Sequence, residues 1–102
     1  MGSHELLALR LLIENPKGLY GSEFVALSKS KLGRSSIYTI LDRLVAKEWV
    51  GEIEDPPEQS YMRSRTRHVI TSGGRKAYMQ FLHDHGLKME PLGPNRALSV
   101  VA

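Results

Sequence analysis

The stretch RSSIYTILDRLVAKE, residues 34–48, decides the fold of this chain. Its apolar side chains recur at the i, i+3, i+4, i+7, i+8 spacing that places them on one face of an α-helix. These side chains are Ile37, Ile40, Leu41, Leu44 and Val45. Ser35 or Ser36 offers a side-chain oxygen to cap this helix, which we expect to extend to about Glu48. The pattern predicts an amphipathic helix whose opposite side is polar.

Two further helices are predicted upstream. Residues 5–15, ELLALRLLIEN, are good helix formers and end before Pro16, which cannot continue a helix. Residues 20–23 lead into a short second helix that ends at about Leu27 or Ser28. The polar connector that follows contains Gly33, a glycine that is able to take a positive φ. A tight joint therefore links the second and third helices.

Downstream of residue 48 the sequence period changes to two, which predicts a β-hairpin. Val50 begins a strand that ends at Asp55, because two prolines follow it. Residues 61–71 resume extended character and carry three arginines at alternate positions. Thr71 is expected to cap a fourth helix, and Gly86 to terminate it in a left-handed conformation.

Composition indicates one folded domain. The 102 residues are 41% hydrophobic and 25% charged, and 14 Lys and Arg against 11 Asp and Glu give a net charge of +3. This charge permits a polyanionic partner without requiring one. The absence of cysteine excludes disulfides and thiol chemistry and fits a reducing compartment, so we expect a cytoplasmic protein. The longest apolar stretch is broken by Arg10 and Glu14 and falls short of the roughly 18 residues that a membrane span needs, so none is expected. We expect residues 1–4 to be a tag remnant, 5–86 the domain, and 87–102 an arm or disordered tail.

The element order is that of a winged helix-turn-helix domain: helix, helix, helix, strand, strand, helix. The fold class is therefore mainly α with a small β-hairpin. Such a domain inserts its third helix into the major groove of DNA, and here two basic clusters flank the small polar side of that helix. The candidate DNA-binding residues are Lys29, Lys31, Arg34, Ser35, Ser36, Tyr38, Thr39, Arg43, Arg63, Arg65 and Arg67. An ordinary solvated helix face remains the alternative for the third helix taken alone.

The first helix is apolar around most of its circumference, since only Arg10 and Glu14 form a polar stripe. A helix of this kind must be buried on more than one side. Because a small domain has difficulty covering it, we expect a homodimer, with a purely internal core helix as the alternative. The expected dimer-interface residues are Leu6, Leu9, Leu12, Ile13, Tyr78, Phe81 and Leu82.

Three segments resemble the PadR-like family of winged-helix transcriptional regulators in order and spacing. They are LYGSEF at residues 19–24, SIYTILDRL at 36–44, and RHVIT at 67–71 followed by GRKA at 74–77. The resemblance covers roughly residues 5–86. It implies a small-form repressor that binds a pseudo-palindromic operator as a homodimer, with Tyr38 near the DNA contact.

Two features of the sequence depart from this family pattern. Trp49 stands where a glycine usually ends the third helix, so we expect the exit turn to be made by a bulky residue that packs over the strand. Gly73 and Gly74 stand where a proline and an acid are common, which should lower the stability of the helix start by about 1 kcal/mol.

Catalysis and metal binding are not expected. No base, nucleophile and orienting group form a recognisable set, so an enzyme is not predicted, nor is any cofactor. His83 and His85 are two apart on a helix and point about 200° from each other, so they cannot converge on one metal ion. For His68, a half-buried strand position is expected rather than a contact with phosphate.

Two alternatives for partners stay open. The resemblance allows a small-molecule effector among Trp49, Tyr61, Met62 and Tyr78, although packing in the core or at an interface is the simpler interpretation. A winged helix can also serve as a protein–protein interaction module that never contacts DNA, and the net charge of +3 is modest for a DNA-binding domain.

Overall fold

A computed structural model describes residues 2–86, which form four helices and three strands. In chain order the elements are α1 (Ser3–Glu14), β1 (Leu19–Tyr20), α2 (Gly21–Leu27), α3 (Ile37–Ala46), β2 (Val50–Asp55), β3 (Arg65–Ile70) and α4 (Ser72–Asp84). The predicted winged-helix fold is confirmed. Ser3 and His4, assigned to a tag remnant, form the first turn of α1, whereas the tail expected over 87–102 lies outside the described residues.

The sheet has three strands rather than the predicted two. Its order is β1-β3-β2, and both pairings are antiparallel. The short β1 pairs Leu19 with His68, and the hairpin register runs from Val50 opposite Ile70 to Asp55 opposite Arg65. Strand β3 begins at Arg65, four residues later than the extended run predicted from residue 61. The loop at 56–64 is correspondingly longer than expected.

Helix α1 lies at the centre of the core and packs against α2, α3, α4 and β3. Its buried residues join the apolar side of α3, one residue each from β1, α2, β2 and the α2–α3 connector, and two from α4. The buried hydrophobic side chains are Ala8, Leu9, Leu11, Leu12, Leu19, Phe24, Leu32, Ile37, Ile40, Leu41, Leu44, Val50, Tyr78 and Leu82. The third-helix pattern identified from sequence is therefore the face that enters the core.

This arrangement corrects the expected dimer interface. Leu9 and Leu12 are 0% exposed within a single protomer, and Tyr78 and Leu82 are also buried. Leu9 and Leu12 are covered because α2, α3, α4 and β3 pack around α1, and Tyr78 and Leu82 keep less than a tenth of their surface accessible. The internal core helix, the alternative weighed above, accounts for the apolar character of α1.

The left-handed residues in the joint between α2 and α3 are not glycines. Lys29 and Ser30 have φ values of 53° and 66°, whereas Gly33 does not adopt a positive φ. Buried Ser28 fixes the joint, since its hydroxyl donates to the Val25 carbonyl (3.1 Å) and accepts from the Leu32 amide (3.0 Å). Leu32 is thereby held in the core.

The start of α3 is not capped by a serine side chain, contrary to expectation. Ser36 occupies the N-cap position, but its hydroxyl donates to the Gly33 carbonyl at 3.4 Å. The same carbonyl accepts from the Ile37 amide at 2.9 Å. A turn over residues 34–36 therefore replaces the side-chain cap.

Helix α3 ends at Ala46, two residues before the predicted end, in a Schellman motif. Glu48 takes the left-handed conformation, with φ 63°, and its amide donates to the Val45 carbonyl (2.9 Å). The Trp49 amide donates to the Leu44 carbonyl (3.0 Å), which completes the motif. The exit turn is thus made by Glu48 rather than Trp49, whose half-buried ring packs against the core.

The start of α4 is tied to this exit turn. The Thr71 hydroxyl accepts from the Gly74 amide (3.0 Å), which confirms the predicted cap, and it donates to the Glu48 carbonyl (2.7 Å). The Thr71 amide donates to the Trp49 carbonyl (3.0 Å). A Cβ at Gly74 would lie 2.0 Å from that carbonyl oxygen, so this close approach requires glycine. At the other end of α4, Gly86 has φ 64°, as predicted.

Candidate nucleic-acid interface

The polar side of α3 faces solvent because the apolar side fills the core. Tyr38, Thr39, Asp42, Arg43 and Ala46 are all exposed, and Tyr38 has 58% of its surface accessible. Small side chains on such a helix let its backbone approach base edges, and arginine can bond guanine or phosphate. The carboxylate of Asp42 would repel phosphates at its own position.

Basic side chains surround the entrance to α3. Lys29 and Lys31 are exposed in the joint, and Arg34 and Ser35 are exposed in the turn that leads into the helix. Lys29 and Lys31 lie in the segment that the bonds of Ser28 close, between Ser28 and Leu32. Sequence inspection missed Ser28, and a serine just after a short helix gave no signal that its side chain would be buried.

Tyr38 contacts the start of α2. A Cβ at Gly21 would lie 2.6 Å from the Tyr38 hydroxyl oxygen, so the end of the ring rests directly on the Gly21 backbone. A groove of about 370 Å³ lies beside this contact, between α2 and the start of α3. The lining residues are Gly21, Ser22, Val25, Ala26, Arg34, Ile37 and Tyr38. Tyr38 therefore joins two helices while most of its ring stays accessible.

The wing, which we define as β2, the loop 56–64 and β3, carries the other basic cluster. Arg63 is exposed in the loop, and Arg65 is exposed at the start of β3. The guanidinium carbon of Arg65 lies 3.8 Å from the centroid of the Tyr20 ring, and its Nη2 is 3.5 Å from the Ser22 hydroxyl oxygen. Arg65 is thus held over the junction of β1 and α2.

Arg67 is placed differently from the other wing arginines. Its Nε and Nη2 lie 3.1 and 3.2 Å from the two carboxylate oxygens of Asp55, and its Nη1 donates to the Lys17 carbonyl. The Tyr20 hydroxyl donates to the same carboxylate at 2.5 Å. Arg67 was expected among the DNA contacts, and here its guanidinium makes three hydrogen bonds within the protein.

The Asp55 carboxylate accepts hydrogen bonds from both Tyr20 and Arg67, and these bonds shift its pKa. The hydrogen bond from Tyr20 and the contact with Arg67 lower the pKa of Asp55 below its ordinary value. The same hydrogen bond raises the pKa of the Tyr20 phenol. Sequence inspection identified neither residue as part of a site. The family-like segment LYGSEF was the sole signal that pointed to Tyr20.

His68 lies on the inner face of the sheet and is only 4% exposed, so it is more deeply buried than the half-buried position predicted. Its Nε2 is 3.5 Å from the Glu52 carboxylate, and its ring meets Phe24 edge-on at 6.4 Å. Burial lowers the pKa of His68, against the opposing influence of Glu52 and, more weakly, Asp42. The neutral ring is the form suited to this position.

The four residues considered for an effector are dispersed. Tyr78 is buried in the core and Trp49 packs against it, with the Lys47 ammonium 4.9 Å from the Trp49 ring centroid. Tyr61 is 85% exposed in the wing loop, next to exposed Met62. Packing therefore explains Trp49 and Tyr78 without a ligand.

Within residues 2–86, no three histidine, aspartate or glutamate side chains are grouped closely enough to hold a metal ion. The His85 ring instead stacks on Phe81, with 4.0 Å between the ring centroids. None of the helices in that described range combines the length and apolarity that a membrane crossing needs.

Comparisons with known proteins agree with this architecture. Neither a sequence model of any protein family nor a curated protein matches the chain. Among solved structures, a PadR family transcription regulator from Clostridium difficile R20291 matches with a TM-score of 0.68 and 21% identity, covering 81% of this chain and 86% of that one. This chain shares the winged-helix fold of that structure. The fold that the resemblance implied is therefore confirmed.

Another solved structure with this fold contains nucleic acid. Bacillus subtilis PadR in complex with operator DNA matches with a TM-score of 0.66 and 19% identity, covering 95% of this chain. The chain spans 56% of the length of that protein.

Proposed function

We propose that this protein binds double-stranded DNA and regulates transcription. The observation that carries the proposal is the exposed polar side of α3, which has basic residues of the joint at its entrance and the arginine-bearing wing as the second basic element. A PadR-fold neighbour that binds operator DNA supports the same conclusion.

The side chains divide by the part of the duplex that each would contact. Thr39 and Arg43 lie on the exposed side of α3, and Ser35 and Ser36 lie at its start, where they can reach base edges in the major groove. Tyr38 lies beside them. The phosphate contacts come from cations around this surface, which are Lys29, Lys31, Arg34, Arg63 and Arg65.

The active species is a homodimer that binds a pseudo-palindromic operator and represses transcription in the cytoplasm. Its interface involves Leu6, Ile13 and Phe81, the members of the expected set that keep accessible surface on α1 and α4. Two-fold pairing would place two α3 helices on successive half-sites.

Selection from a random duplex pool, followed by salt titration, tests the proposal. Affinity for the selected duplex should fall steeply with salt, with a log-log slope near −0.9 per phosphate neutralised. A double variant in which Arg63 and Arg65 are both replaced by glutamine should bind all duplexes more weakly and show a shallower salt slope. Arg43→Ala should also change sequence preference.

Lys76→Gln is the matched control, since it removes one exposed positive charge from α4, outside the proposed surface. It should leave both affinity and slope nearly unchanged. Absence of duplex selection, or binding that is insensitive to salt, would instead favour a protein–protein interaction module.

A further inference from the structure

The wing contains an arginine with three of its five N–H donors engaged within the protein. Arg67 spans both oxygens of the Asp55 carboxylate and also donates to the Lys17 carbonyl. A two-point arginine–carboxylate contact is charge-assisted and directional. These three bonds fix the orientation of the guanidinium, so the position of Arg67 suits a role inside the wing.

The Asp55 carboxylate connects the wing to the segment before α2. It lies at the end of β2 and accepts from Tyr20, which belongs to β1. In the sheet, Tyr20 is paired with Arg67, and Asp55 is paired with Arg65. These four side chains, which we call the Asp55 network, therefore link all three strands through a single acid.

The network ends at a cation that is available to a ligand. The Tyr20 ring supports the Arg65 guanidinium at 3.8 Å, a cation–π distance, and Arg65 also approaches Ser22. The ring of Tyr38, from α3, rests on Gly21, the next residue of the same segment. The segment 20–22 thus lies between a wing arginine and a residue of α3, and contacts both.

We propose that Arg67 and Asp55 are positioning residues that, through Tyr20, hold Arg65 at a fixed place relative to Tyr38 on α3. The inference rests on the proposed DNA binding and assigns Arg65, but not Arg67, to the phosphate backbone. The Asp55 network thereby sets the spacing between the wing contact and the major-groove contact.

The sign of one charge change tests this assignment. Removal of an acid near a DNA-binding surface should strengthen binding if the acid acts only through its charge. Asp55→Asn should instead weaken duplex binding, roughly tenfold, because a neutral amide cannot accept the charge-assisted bonds that orient Arg67. Glu58→Gln, an exposed acid of the wing loop, is the matched control and should leave affinity unchanged or slightly higher.

A conservative variant separates positioning from charge at Arg67. Arg67→Lys keeps the positive charge but cannot span two carboxylate oxygens. It should weaken binding without changing the salt slope, whereas Arg65→Gln should reduce the slope by about 0.9. Binding of Arg67→Lys at the parent's affinity, or stronger binding by Asp55→Asn, would overturn the proposal.

A measurement on the free protein keeps this inference distinct from DNA binding itself. In NMR spectra, the Tyr20 ring should shift the side-chain protons of Arg65 upfield. That shift should persist in Glu58→Gln and shrink in Asp55→Asn. If the parent protein binds no duplex, the proposed function fails. If the shift is unchanged in Asp55→Asn, the positioning role fails.

Discussion

Replacement of Gly74 by alanine should destabilise the fold, although alanine is the better helix former. The added Cβ would lie 2.0 Å from the Trp49 carbonyl oxygen and 2.8 Å from the Trp49 carbonyl carbon. Both atoms belong to backbone, so the contact cannot be relieved by rotation of a side chain. The start of α4 must move away from the exit turn of α3, which strains the bond from the Thr71 amide to Trp49.

The magnitude follows from two opposing contributions. Overpacking of a tightly fitted site costs about 1–3 kcal/mol. The exchange of glycine for alanine in a helix contributes up to about 1 kcal/mol in the opposite direction. The net loss should be about 1–2 kcal/mol, which lowers the melting temperature by roughly 5–15 °C in a domain of this size.

Gly73 supplies the matched control in the same turn of α4. A Cβ there would meet its nearest atom, the Glu48 carbonyl oxygen, at 3.6 Å, an ordinary contact. Gly73→Ala should therefore raise the melting temperature, by up to several degrees. Thermal unfolding followed by circular dichroism and by the fluorescence of Trp49, the sole tryptophan, measures both variants. Stabilisation by both substitutions would refute the close approach at Gly74.

Three further predictions concern the core and the α2–α3 contact. Because burial lowers the pKa of His68 below 6.5, its neutral ring stabilises the fold above about pH 6.5; this contribution should disappear as the pH falls through the folded-state pKa. Urea unfolding at pH 7.5 and pH 5 should show a larger loss for the parent than for His68→Gln, and equal losses would contradict this. Gly21→Ala should displace the Tyr38 ring at little cost in melting temperature, yet weaken binding to the selected duplex; unchanged affinity would argue against a role for Tyr38 there. Leu44→Ala, in the core, should cost about 2–5 kcal/mol, whereas Leu27→Ala, 50% exposed, should cost far less, both measured by urea unfolding.

The apolar face of α3 and the cap at Thr71 could be predicted because each depends on local spacing in the chain. Ile37, Ile40 and Leu44 recur with the helical period, and the structure buries all three. Thr71 precedes a helical segment and accepts from an amide three residues later. Signals of this kind require no knowledge of which distant segments meet.

Features that depend on long-range pairing could not be predicted. Strand β1 has only two residues, too few for any alternation, and it forms because it pairs with β3. Arg65 and Arg67 have the same parity, so sequence could not tell which one would meet Asp55. Which arginine meets Asp55 depends on the hairpin register. The sequence of the long loop 56–64 does not specify that register. Likewise, Leu9 could be recognised as buried, but not as buried by its own protomer.

The position of β2 at the margin of the sheet has a consequence for behaviour at high concentration. Since β3 lies between the other two strands, β2 presents one row of backbone amides and carbonyls to solvent, a template on which another chain could add a strand. Three of its six residues are acids, Glu52, Glu54 and Asp55. Asp55 is paired with Arg67, but two molecules that approached each other along this margin would bring the exposed carboxylates of Glu52 and Glu54 together, and that repulsion disfavours strand addition.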